Sequence, residues 1–367
     1  MTAPHGAIPK RIKVAIVAPS LRYVGGQAVQ ADLLMRLWQD DPGIEISFIA
    51  VDPPLPNWLG WAERIPGLRT VLREPIYFWH LWRGLKGIDV AHVFSASYWS
   101  FLLAPAPAWF FARVCGAKTL INYHSGEARD HVRRFRSGMF VLSRVDEIVV
   151  PSGYLVDVFH EFGLNASVVP NLVDLSQFRY RERNPLRPHL VCTRGFSTYY
   201  SVDVVVRAFA DVKKTYPNAQ LDLVGGGPLE GDVRKLVSDL KLTGVTFTGV
   251  ASRRSIGKYY DDADIFINAS WLDNMPVSII EAFGAGTPVV TTSPESIPYL
   301  VEHERTGLLS AVGDEKALAA NVIRLLRDPA LAARLAQNAC AESRKYAWQV
   351  VRDQWVTAYR ELSERRR

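Results

Sequence analysis

The sequence predicts an α/β protein made of two doubly wound domains, each a parallel β-sheet covered by helices on both faces. Its length of 367 residues is too great for one ordinary domain and suits two. Short apolar, β-branched segments alternate with helical segments, which is the pattern of a parallel sheet. The alternation begins again after Pro188, and we therefore expect a second domain there.

Composition narrows the classes of partner. Hydrophobic residues make up 48% of the chain and charged residues 22%, as in soluble globular proteins. The net charge of +6 permits an anionic ligand or an anionic membrane surface. The basic residues are dispersed apart from Arg129, Arg133, Arg134 and Arg136, so no nucleic-acid partner is expected.

The cysteines and apolar runs bear on location. Cys115, Cys192 and Cys340 lie far apart and have no metal-ligand spacing, which favours a reducing cytoplasm. Residues 1–11 lack the apolar core of a signal peptide. The longest apolar stretch, Trp99–Ala112, contains two prolines and is too short to span a membrane. We expect a cytoplasmic protein, either free or at the inner membrane surface.

The first half begins with a strand over Ile12–Ala18, because this run is almost entirely apolar. A loop with Gly25 and Gly26 follows, and then a helix over Gln27–Trp38. Further strands are predicted at Ile44–Ala50, Asp89–Phe94, Thr119–Tyr123, Glu147–Val150 and Ser167–Val169.

The second half repeats the pattern with a strand at Leu190–Thr193 and a helix at Val202–Tyr216. We place the domains at residues 1–182 and 183–345, with the Arg- and Pro-containing segment Arg179–Pro188 as the linker. A last helix in 346–367 has an apolar, aromatic face and should pack on a domain. Further strands are predicted at Leu221–Val224, Val245–Thr248, Ile265–Asn268 and Pro288–Thr291.

Two doubly wound sheets predict where ligands bind. In open α/β sheets the ligand lies at the carboxyl ends of the strands. With two such domains joined in one chain, we expect the two sheets to face each other across a cleft that holds the site.

One segment after the strand Ile265–Asn268 carries most of the chemical signal. Pro276 suits the start of a helix, whose first N–H groups and dipole would bind a diphosphate. Glu281 follows about one turn into that helix and can accept hydrogen bonds from two vicinal hydroxyls, as in a ribose. Asp273, in the loop before the helix, can contact a sugar in the same way. The N–H groups concerned belong to Val277, Ser278 and Ile279.

This segment resembles the donor-binding signature of the family-4 glycosyltransferases. That signature has two acidic residues separated by seven, then Ala and Gly-x-Pro-Val-Val; here the acidic residues are Asp273 and Glu281. Asp273 departs from the usual Glu and is shorter by one methylene. The resemblance implies that Glu281 binds the ribose and that Asp273 contacts the transferred sugar. It also implies the GT-B arrangement of two Rossmann-like domains, with the C-terminal helix crossing back to the first.

The loops of the first half extend the resemblance. Gly25 and Gly26 match the family's glycine-rich loop, where the backbone approaches donor phosphates or acceptor; an ordinary tight turn is the alternative. His124 matches a histidine that donates a hydrogen bond to the transferred sugar, although a lone histidine is more often a packed or surface residue. Glu127 and Arg129 are candidates for acceptor contacts.

In the second half, Arg194 stands where the family places an arginine on the diphosphate, and its planar donors suit that role. The family's lysine six residues later is replaced by Tyr200, which could donate a hydrogen bond instead. Arg253 and Arg254 are candidates to replace the missing charge. Gly226, in a run of three glycines, matches a loop that lets the nucleotide approach the backbone.

No cofactor is expected, because the nucleotide-sugar is itself a substrate, and the resemblance implies that no metal is needed. The pair Asp262 and Asp264 resembles the metal motif of other glycosyltransferases, but it lies at the start of a predicted strand, away from the site. The resemblance implies that helix N–H groups and cations neutralise the diphosphate without a metal.

The first half is rich in aromatic residues, most of which helix packing should explain. The alternative is a groove for a sugar or lipid acceptor, and with the arginine cluster it would allow peripheral membrane contact. The residues fall in two stretches: Trp58, Trp61, Tyr77, Phe78, Trp79 and Trp82, and then Tyr98, Trp99, Phe101, Trp109, Phe110 and Phe111.

The sequence thus predicts a retaining, metal-independent transferase that moves a hexose from a UDP- or GDP-linked donor to a glycan, lipid-linked or small-molecule acceptor. Two alternatives stay open. The missing lysine would suit a nucleotide-sugar binding protein with reduced catalysis. A sugar-nucleotide epimerase on a similar fold would need no acceptor.

Overall fold

The computed structural model describes residues 11–22, 25–95 and 97–365, which form two compact units. The first comprises the described chain up to Val169 together with the chain from Arg352 onward, and the second runs from Pro170 to Val351. The predicted boundary after residue 182 falls inside the second unit. The reason is local: Asn171 Nδ2 donates to the carbonyl of Met275 at 3.1 Å, and this anchors the segment after Pro170 to the second unit.

The first unit consists of β-strands that alternate with helices. Its strands are β1 (Ile12–Ala18), β2 (Ile44–Ala50), β3 (Val90–Ser95), β4 (Lys118–Tyr123), β5 (Glu147–Val150) and β6 (Ser167–Val168). Its helices before residue 170 are α1 (Gly26–Leu37), α2 (Pro66–Gly84), α3 (Tyr98–Leu103), α4 (Pro105–Cys115), α5 (Ala128–Arg134), α6 (Arg136–Leu142) and α7 (Gly153–Glu161), with a 3₁₀ turn at Asn57–Arg64.

The strands of the first unit pair in parallel in the order β2-β1-β3-β4-β5-β6. Ile12 lies opposite Ile44, and the register continues to Ala18 opposite Ala50. β1 is fully buried from Val14 to Ala18, as expected of a parallel strand with helices on both faces. The chain turns first to one side of β1 and then to the other, so the switch point lies between β1 and β3.

The second unit repeats this construction. Its strands are β7 (His189–Cys192), β8 (Gln220–Val224), β9 (Val245–Gly249), β10 (Ile265–Asn268), β11 (Val289–Thr292) and β12 (Leu308–Ser310). The helices that follow α7 are α8 (Val202–Thr215), α9 (Glu230–Asp239), α10 (Ile256–Asp262), α11 (Val277–Gly284), α12 (Glu315–Arg327), α13 (Pro329–Ser343) and α14 (Trp348–Glu364). Short 3₁₀ turns lie at Leu175–Gln177, Thr198–Tyr200, Ile297–Tyr299 and Arg344–Tyr346.

The second sheet is also parallel, in the order β9-β8-β7-β10-β11-β12. This is the doubly wound order of dinucleotide-binding folds, and its switch point lies between β7 and β10. The predicted fold class, two Rossmann-like units, is confirmed. β12 was not predicted, because three residues carry too little periodicity to distinguish a strand from a loop.

The C-terminal helix α14 packs on the first sheet. His92 of β3 lies with its Nδ1 2.6 Å from the hydroxyl of Tyr359, and its ring centroid is 4.5 Å from that of Trp355. The guanidinium of Arg352 donates to Asp41 at 2.7 Å, in the loop after α1. The predicted return of the last helix to the first domain is therefore confirmed.

The predicted linker Arg179–Pro188 is not a free connection, because it packs on the second unit. Arg183 is buried, and its guanidinium caps carbonyl groups at the ends of neighbouring elements. The composition of this segment predicted a linker between domains. Here the charge of Arg183 instead satisfies backbone acceptors that would otherwise be buried without partners. The carbonyls belong to Tyr260 (2.7 Å), Gly286 (2.7 Å), Ala263 (3.0 Å) and Ala285 (3.0 Å).

The aromatic residues of the first unit pack inward less than expected. Tyr77 and Phe101 are buried, but the prediction that helix packing explains most of them was wrong. In the described part of the chain, no helix combines the length and the apolar character needed to cross a bilayer. Exposed members are Trp58, Trp61, Phe78, Trp79, Trp82, Trp99 and Phe110.

Candidate donor site at the switch point of the second unit

Two loops meet at the switch point of the second sheet. The loop after β7 carries Arg194, and the loop after β10 carries Asp273 and leads into α11. Because β7 and β10 are neighbours and parallel, both loops leave the same edge of the sheet. The backbone N–H of Trp271 donates to the carbonyl of Tyr199 at 3.0 Å, which joins the loops directly.

Arg194 is the central cation of this edge. Its Nη2 forms an ion pair with Asp273 Oδ2, and its Nη1 donates to Ser278 Oγ at 3.0 Å. The ring of Tyr200 covers the guanidinium, with 3.8 Å from Cζ to the ring centroid. Arg194 Nε is buried and has no partner among the described residues. The guanidinium is therefore held in a fixed plane with its Nε–H donor unused.

Glu281 lies half-buried within α11. Its Oε2 accepts a hydrogen bond of 2.8 Å from the hydroxyl of Tyr260, a fully buried residue of α10. That hydroxyl also lies 2.6 Å from Thr193 Oγ1 and 3.0 Å from the carbonyl of Ser278. Burial raises the pKa of Glu281, against the opposing effects of the Tyr260 hydrogen bond and the positive charges of Arg194 and Arg253. Ionising this carboxyl therefore costs free energy in the folded chain.

The start of α11 presents backbone donors to the same edge. Pro276 is the N-cap residue and has an extended conformation, so the helix begins at Val277, one residue later than predicted. The N–H of Ile279 donates to the carbonyl of Pro276 at 3.1 Å, so it is not a free donor. In the described part of the chain, the N–H groups of Val277 and Ser278 have no acceptor. Two of the three predicted amides thus face outward from a helix N-terminus, where anions are favoured.

The glycine-rich loop after β8 supports the Arg194 loop. A Cβ on Gly225 would lie 2.2 Å from the carbonyl oxygen of Arg194, and one on Gly227 would lie 2.5 Å from that of Phe196. The carbonyl of Gly226 accepts from the N–H of Phe196 at 3.0 Å. Close packing within the chain therefore explains why glycine stands at positions 225 and 227. The expected approach of the nucleotide to this loop stays a prediction.

In the first unit, Gly25 caps α1 and Gly26 is its first residue. Nothing lies within 4 Å of a Cβ built on either glycine, so packing within the described chain does not require them. The loop before them includes residues 23 and 24, which lie outside the described part. Gln27 Nε2 donates to the carbonyl of Ser95 at 3.1 Å, which ties α1 to the end of β3 at the switch point.

His124 follows β4 at the same edge of the first sheet. Its N–H donates to the carbonyl of Ser95 at 3.0 Å, and its ring stacks on Phe94 with centroids 5.2 Å apart. Burial lowers the pKa of His124 to about 4, so the imidazole is neutral near neutral pH. His124 Nε2 is buried and has no partner among the described residues. A neutral ring with an unsatisfied nitrogen can donate to or accept from a ligand hydroxyl.

The candidate acceptor contacts have protein partners. Arg129 donates to both carboxylate oxygens of Glu161, at 2.9 and 3.1 Å. Glu127 caps the start of α5, and its N–H donates to Ser125 Oγ at 3.2 Å. These bonds give both residues a structural role, so the expected acceptor role of each stays a prediction.

Asp264, which resembles a metal ligand in the sequence, instead has a structural role in the second unit. It lies at the start of β10, at the opposite end of the strand from the Asp273 loop. Its carboxylate accepts from the guanidinium of Arg181 at 2.6 Å, and from Arg187 at 2.8 and 3.0 Å. Both oxygens are therefore engaged by arginines of the connecting segment.

The structure thus brings Arg194, Asp273, Ser278, Glu281 and Tyr200 together on one edge of the second unit. His124 and Gly25–Gly26 lie on the corresponding edge of the first. Tyr260, Thr193 and Trp271 were missed. Tyr260 falls on an apolar stripe with Ile256 and looks like a core residue, and nothing in the sequence indicates where its hydroxyl points.

Comparison with known proteins adds the family. A family model described as Glycosyl transferases group 1 matches residues 187–328, and one described as Glycosyltransferase Family 4 matches residues 24–177. The alpha-monoglucosyldiacylglycerol synthase of Acholeplasma laidlawii is 25% identical over 59% of this chain and 53% of its own length, so this match spans about half of that relative. A GDP-mannose-dependent alpha-(1-6)-phosphatidylinositol monomannoside mannosyltransferase of Mycobacterium tuberculosis is 29% identical over 69% of this chain and 74% of its own.

Solved structures share the fold. Sucrose-phosphate synthase from Thermosynechococcus elongatus superposes with a TM-score of 0.75 at 21% identity, covering 96% of this chain and 99% of its own. Anabaena Alr3699/HepE in complex with UDP-glucose gives 0.75 at 15% identity, covering 96% and 100%. With both halves matched by family models, the chain belongs to the family-4, group 1 glycosyltransferases.

Proposed function

We propose that this protein transfers a hexose from a nucleotide-sugar to a glycan, lipid-linked or small-molecule acceptor, with retention of anomeric configuration and without a metal ion. One observation carries the proposal. A fixed guanidinium, two free helix amides and a carboxylate share one edge of the second sheet, at its switch point. This set matches the diphosphate and ribose of a nucleotide-sugar.

The diphosphate is the leaving group and gains charge as the bond to the anomeric carbon breaks. Donors already placed at that charge lower the barrier, because they need no reorganisation during the reaction. Arg194 and the amides of Val277 and Ser278 take this role. Asp273 forms an ion pair with Arg194, at the guanidinium that would meet the diphosphate. Binding therefore exchanges one anion at the guanidinium for another and leaves Asp273 available to a sugar hydroxyl.

Glu281 binds the ribose. Tyr260 engages one of its carboxylate oxygens, which fixes the orientation of the other. His124 positions the sugar with a neutral ring, and the open space at Gly25 and Gly26 admits a close approach of donor or acceptor to the backbone.

The donor nucleotide is UDP or GDP. Names of similar proteins support both: one relative is GDP-mannose-dependent, and one neighbour in fold was solved with UDP-glucose. Two relatives have a glycolipid in their names, which supports a lipid-linked acceptor within the proposed range. Three free thiols suit a reducing compartment, and we propose that the reaction takes place in the cytoplasm.

The test is release of nucleoside diphosphate from a panel of UDP-, GDP- and ADP-hexoses, with and without EDTA. We expect slow release from one donor, insensitive to EDTA and lost in Glu281→Ala and Arg194→Ala. Failure of every donor to bind in a titration would refute the donor site. Release that EDTA abolishes would refute metal independence. The configuration of the product, read by NMR, tests retention.

A second candidate function is nucleotide-sugar binding with reduced catalysis. Tyr200 replaces the family's lysine, and its ring packs on Arg194 without adding charge. Tight donor binding with no turnover across a broad acceptor screen would favour this alternative. A new nucleotide-sugar formed without diphosphate release would instead indicate an epimerase.

A further inference from the structure

The first unit exposes many aromatic side chains that the transfer reaction does not explain. We call it the aromatic face, and it consists of the outward sides of α2, α4 and the 3₁₀ turn before α2. Trp58 is 75% exposed, Trp61 60%, Trp79 52% and Phe110 54%. Soluble proteins rarely leave this much apolar surface contiguous without a partner. The face is formed by Trp58, Trp61, Phe78, Trp79, Trp82 and Phe110.

Ring contacts join these side chains into two groups, which lie on the neighbouring helices α2 and α4. The rings of Trp79 and Trp82 lie 5.5 Å apart, and Phe78 contacts Phe111 of α4 at 5.7 Å. Phe111 in turn lies 5.5 Å from Phe110. The ion pair between Glu63 and Arg73 fixes the 3₁₀ turn to α2.

The C-terminal half of helix α2 carries large apolar side chains on both its inward and its outward side. Its inward side buries Tyr77 and Leu81, as a helix on a sheet must. Its outward side carries Phe78, Trp79 and Trp82, where a solvent-facing helix would carry polar residues. This arrangement is typical of a helix whose second side also leaves bulk water.

Charge indicates what covers the aromatic face. Residues 57–115, which span the elements of the aromatic face, contain six Arg and Lys and three Asp and Glu. Arg83, Lys86 and Arg113 are exposed and pair with no carboxylate among the described residues. Lys86 Nζ lies 3.4 Å from the centroid of the Trp82 ring, so its ammonium group makes a cation–π contact with the exposed ring. A second copy of the chain would bring like charges together, whereas an anionic lipid surface complements them.

We propose that the aromatic face docks on the surface of an anionic lipid bilayer. The tryptophans and phenylalanines enter the boundary between headgroups and acyl chains, where their amphipathic rings are favoured. Arg83, Lys86 and Arg113 contact lipid phosphates. The basic residues that contact the membrane therefore differ from the arginine cluster expected from sequence. Within that cluster, Arg129 is paired with Glu161 and Arg134 with Asp130.

The test measures binding of the full chain to vesicles of phosphatidylglycerol and phosphatidylcholine, by flotation and by the blue shift of tryptophan emission. No nucleotide is present, so the result is independent of the proposed transferase activity. The charge variant Arg83→Gln/Lys86→Gln should bind about 25-fold more weakly, since each basic residue contributes about fivefold. Its control is Lys258→Gln/Lys316→Gln, which removes two exposed charges from the second unit. We expect that control to bind like the unaltered protein.

The aromatic variant Trp79→Ala/Trp82→Ala should show a smaller blue shift, because only Trp58 and Trp61 of the face remain, and should bind at least tenfold more weakly. Its control, Trp271→Ala/Tyr299→Ala, removes two exposed rings from the second unit and should keep both. Thermal unfolding by circular dichroism checks that every variant folds. Absence of vesicle binding, equal binding by all variants, or a dimer in solution that Trp79→Ala/Trp82→Ala dissociates would each overturn the proposal.

Discussion

Removing one buried hydroxyl tests the proposed role of Glu281. In Tyr260→Phe the ring keeps its packing, but the hydrogen bond of 2.8 Å to Glu281 Oε2 is lost. A hydrogen bond to a charged group is worth about 1.5–3 kcal/mol, and the carboxylate is left with less support where burial already disfavours it. We expect the free energy of unfolding to fall by about 1–3 kcal/mol. The pKa of Glu281 should rise, because the hydrogen bond that lowers it is gone.

Donor binding should weaken in the same variant. If about 1.4 kcal/mol of that interaction orients the carboxylate for the ribose, the affinity for the donor nucleotide falls about tenfold. Isothermal titration with UDP and GDP from mildly acid to neutral pH measures both the loss and the shifted titration. Tyr259→Phe is the matched control, because it removes a hydroxyl from the adjacent position of α10 without touching Glu281. Equal affinity and equal pH dependence in Tyr260→Phe and the control would refute the reasoning.

The other predictions concern charge and burial. Glu281→Gln should weaken donor binding yet leave the fold equally or more stable at neutral pH, because a raised pKa means that the ionised carboxylate is destabilising there. Urea unfolding should show this advantage fading as pH falls towards about 4.5, where the carboxyl becomes protonated in both the folded and the unfolded chain. Tyr200→Lys should strengthen nucleoside diphosphate binding about tenfold, by adding the missing cation, and weaker binding in titration would contradict this. Arg183→Met should lower the free energy of unfolding by at least about 3 kcal/mol, since several buried carbonyls lose their donor. Urea unfolding measures this loss, and a smaller loss would mean that water replaces the guanidinium. The first unit should lose stability as pH falls from about 6.5 towards 4, because folding lowers the pKa of its buried histidines and protonation then favours the unfolded chain. Hydrogen exchange should show the first unit opening before the second. Simultaneous opening of both units would contradict this prediction. The residues concerned are His92 (pKa about 3), His124 (about 4) and His131 (about 4).

Much of the fold could be predicted because it depends on local patterns. β1, β2, β5 and β10 have the predicted bounds, since buried strands are continuous apolar runs that end at polar or glycine-containing loops. The connecting segment 179–188 could not be predicted. Its arginines satisfy carbonyls from distant parts of the chain, and composition does not reveal such long-range bonds.

The candidate site shows the same division. The positions of Arg194, Asp273 and Glu281 follow from the strand order, because each comes after a strand at the switch point. Their contacts do not follow from it. The ion pair between Arg194 and Asp273, and the hydroxyl of Tyr260 on Glu281, depend on side-chain directions that a linear pattern leaves open.

The assignment of α14 to the first unit has a consequence for synthesis. Tyr359 and Trp355 cover His92 on β3, so one face of the first sheet stays uncovered until the last residues of the chain leave the ribosome. The second unit runs without interruption from Pro170 to Val351 and has all its parts before then. Domains usually complete their folding in the order in which they are made. In this chain that order is reversed: the half that is translated first is the last to be finished.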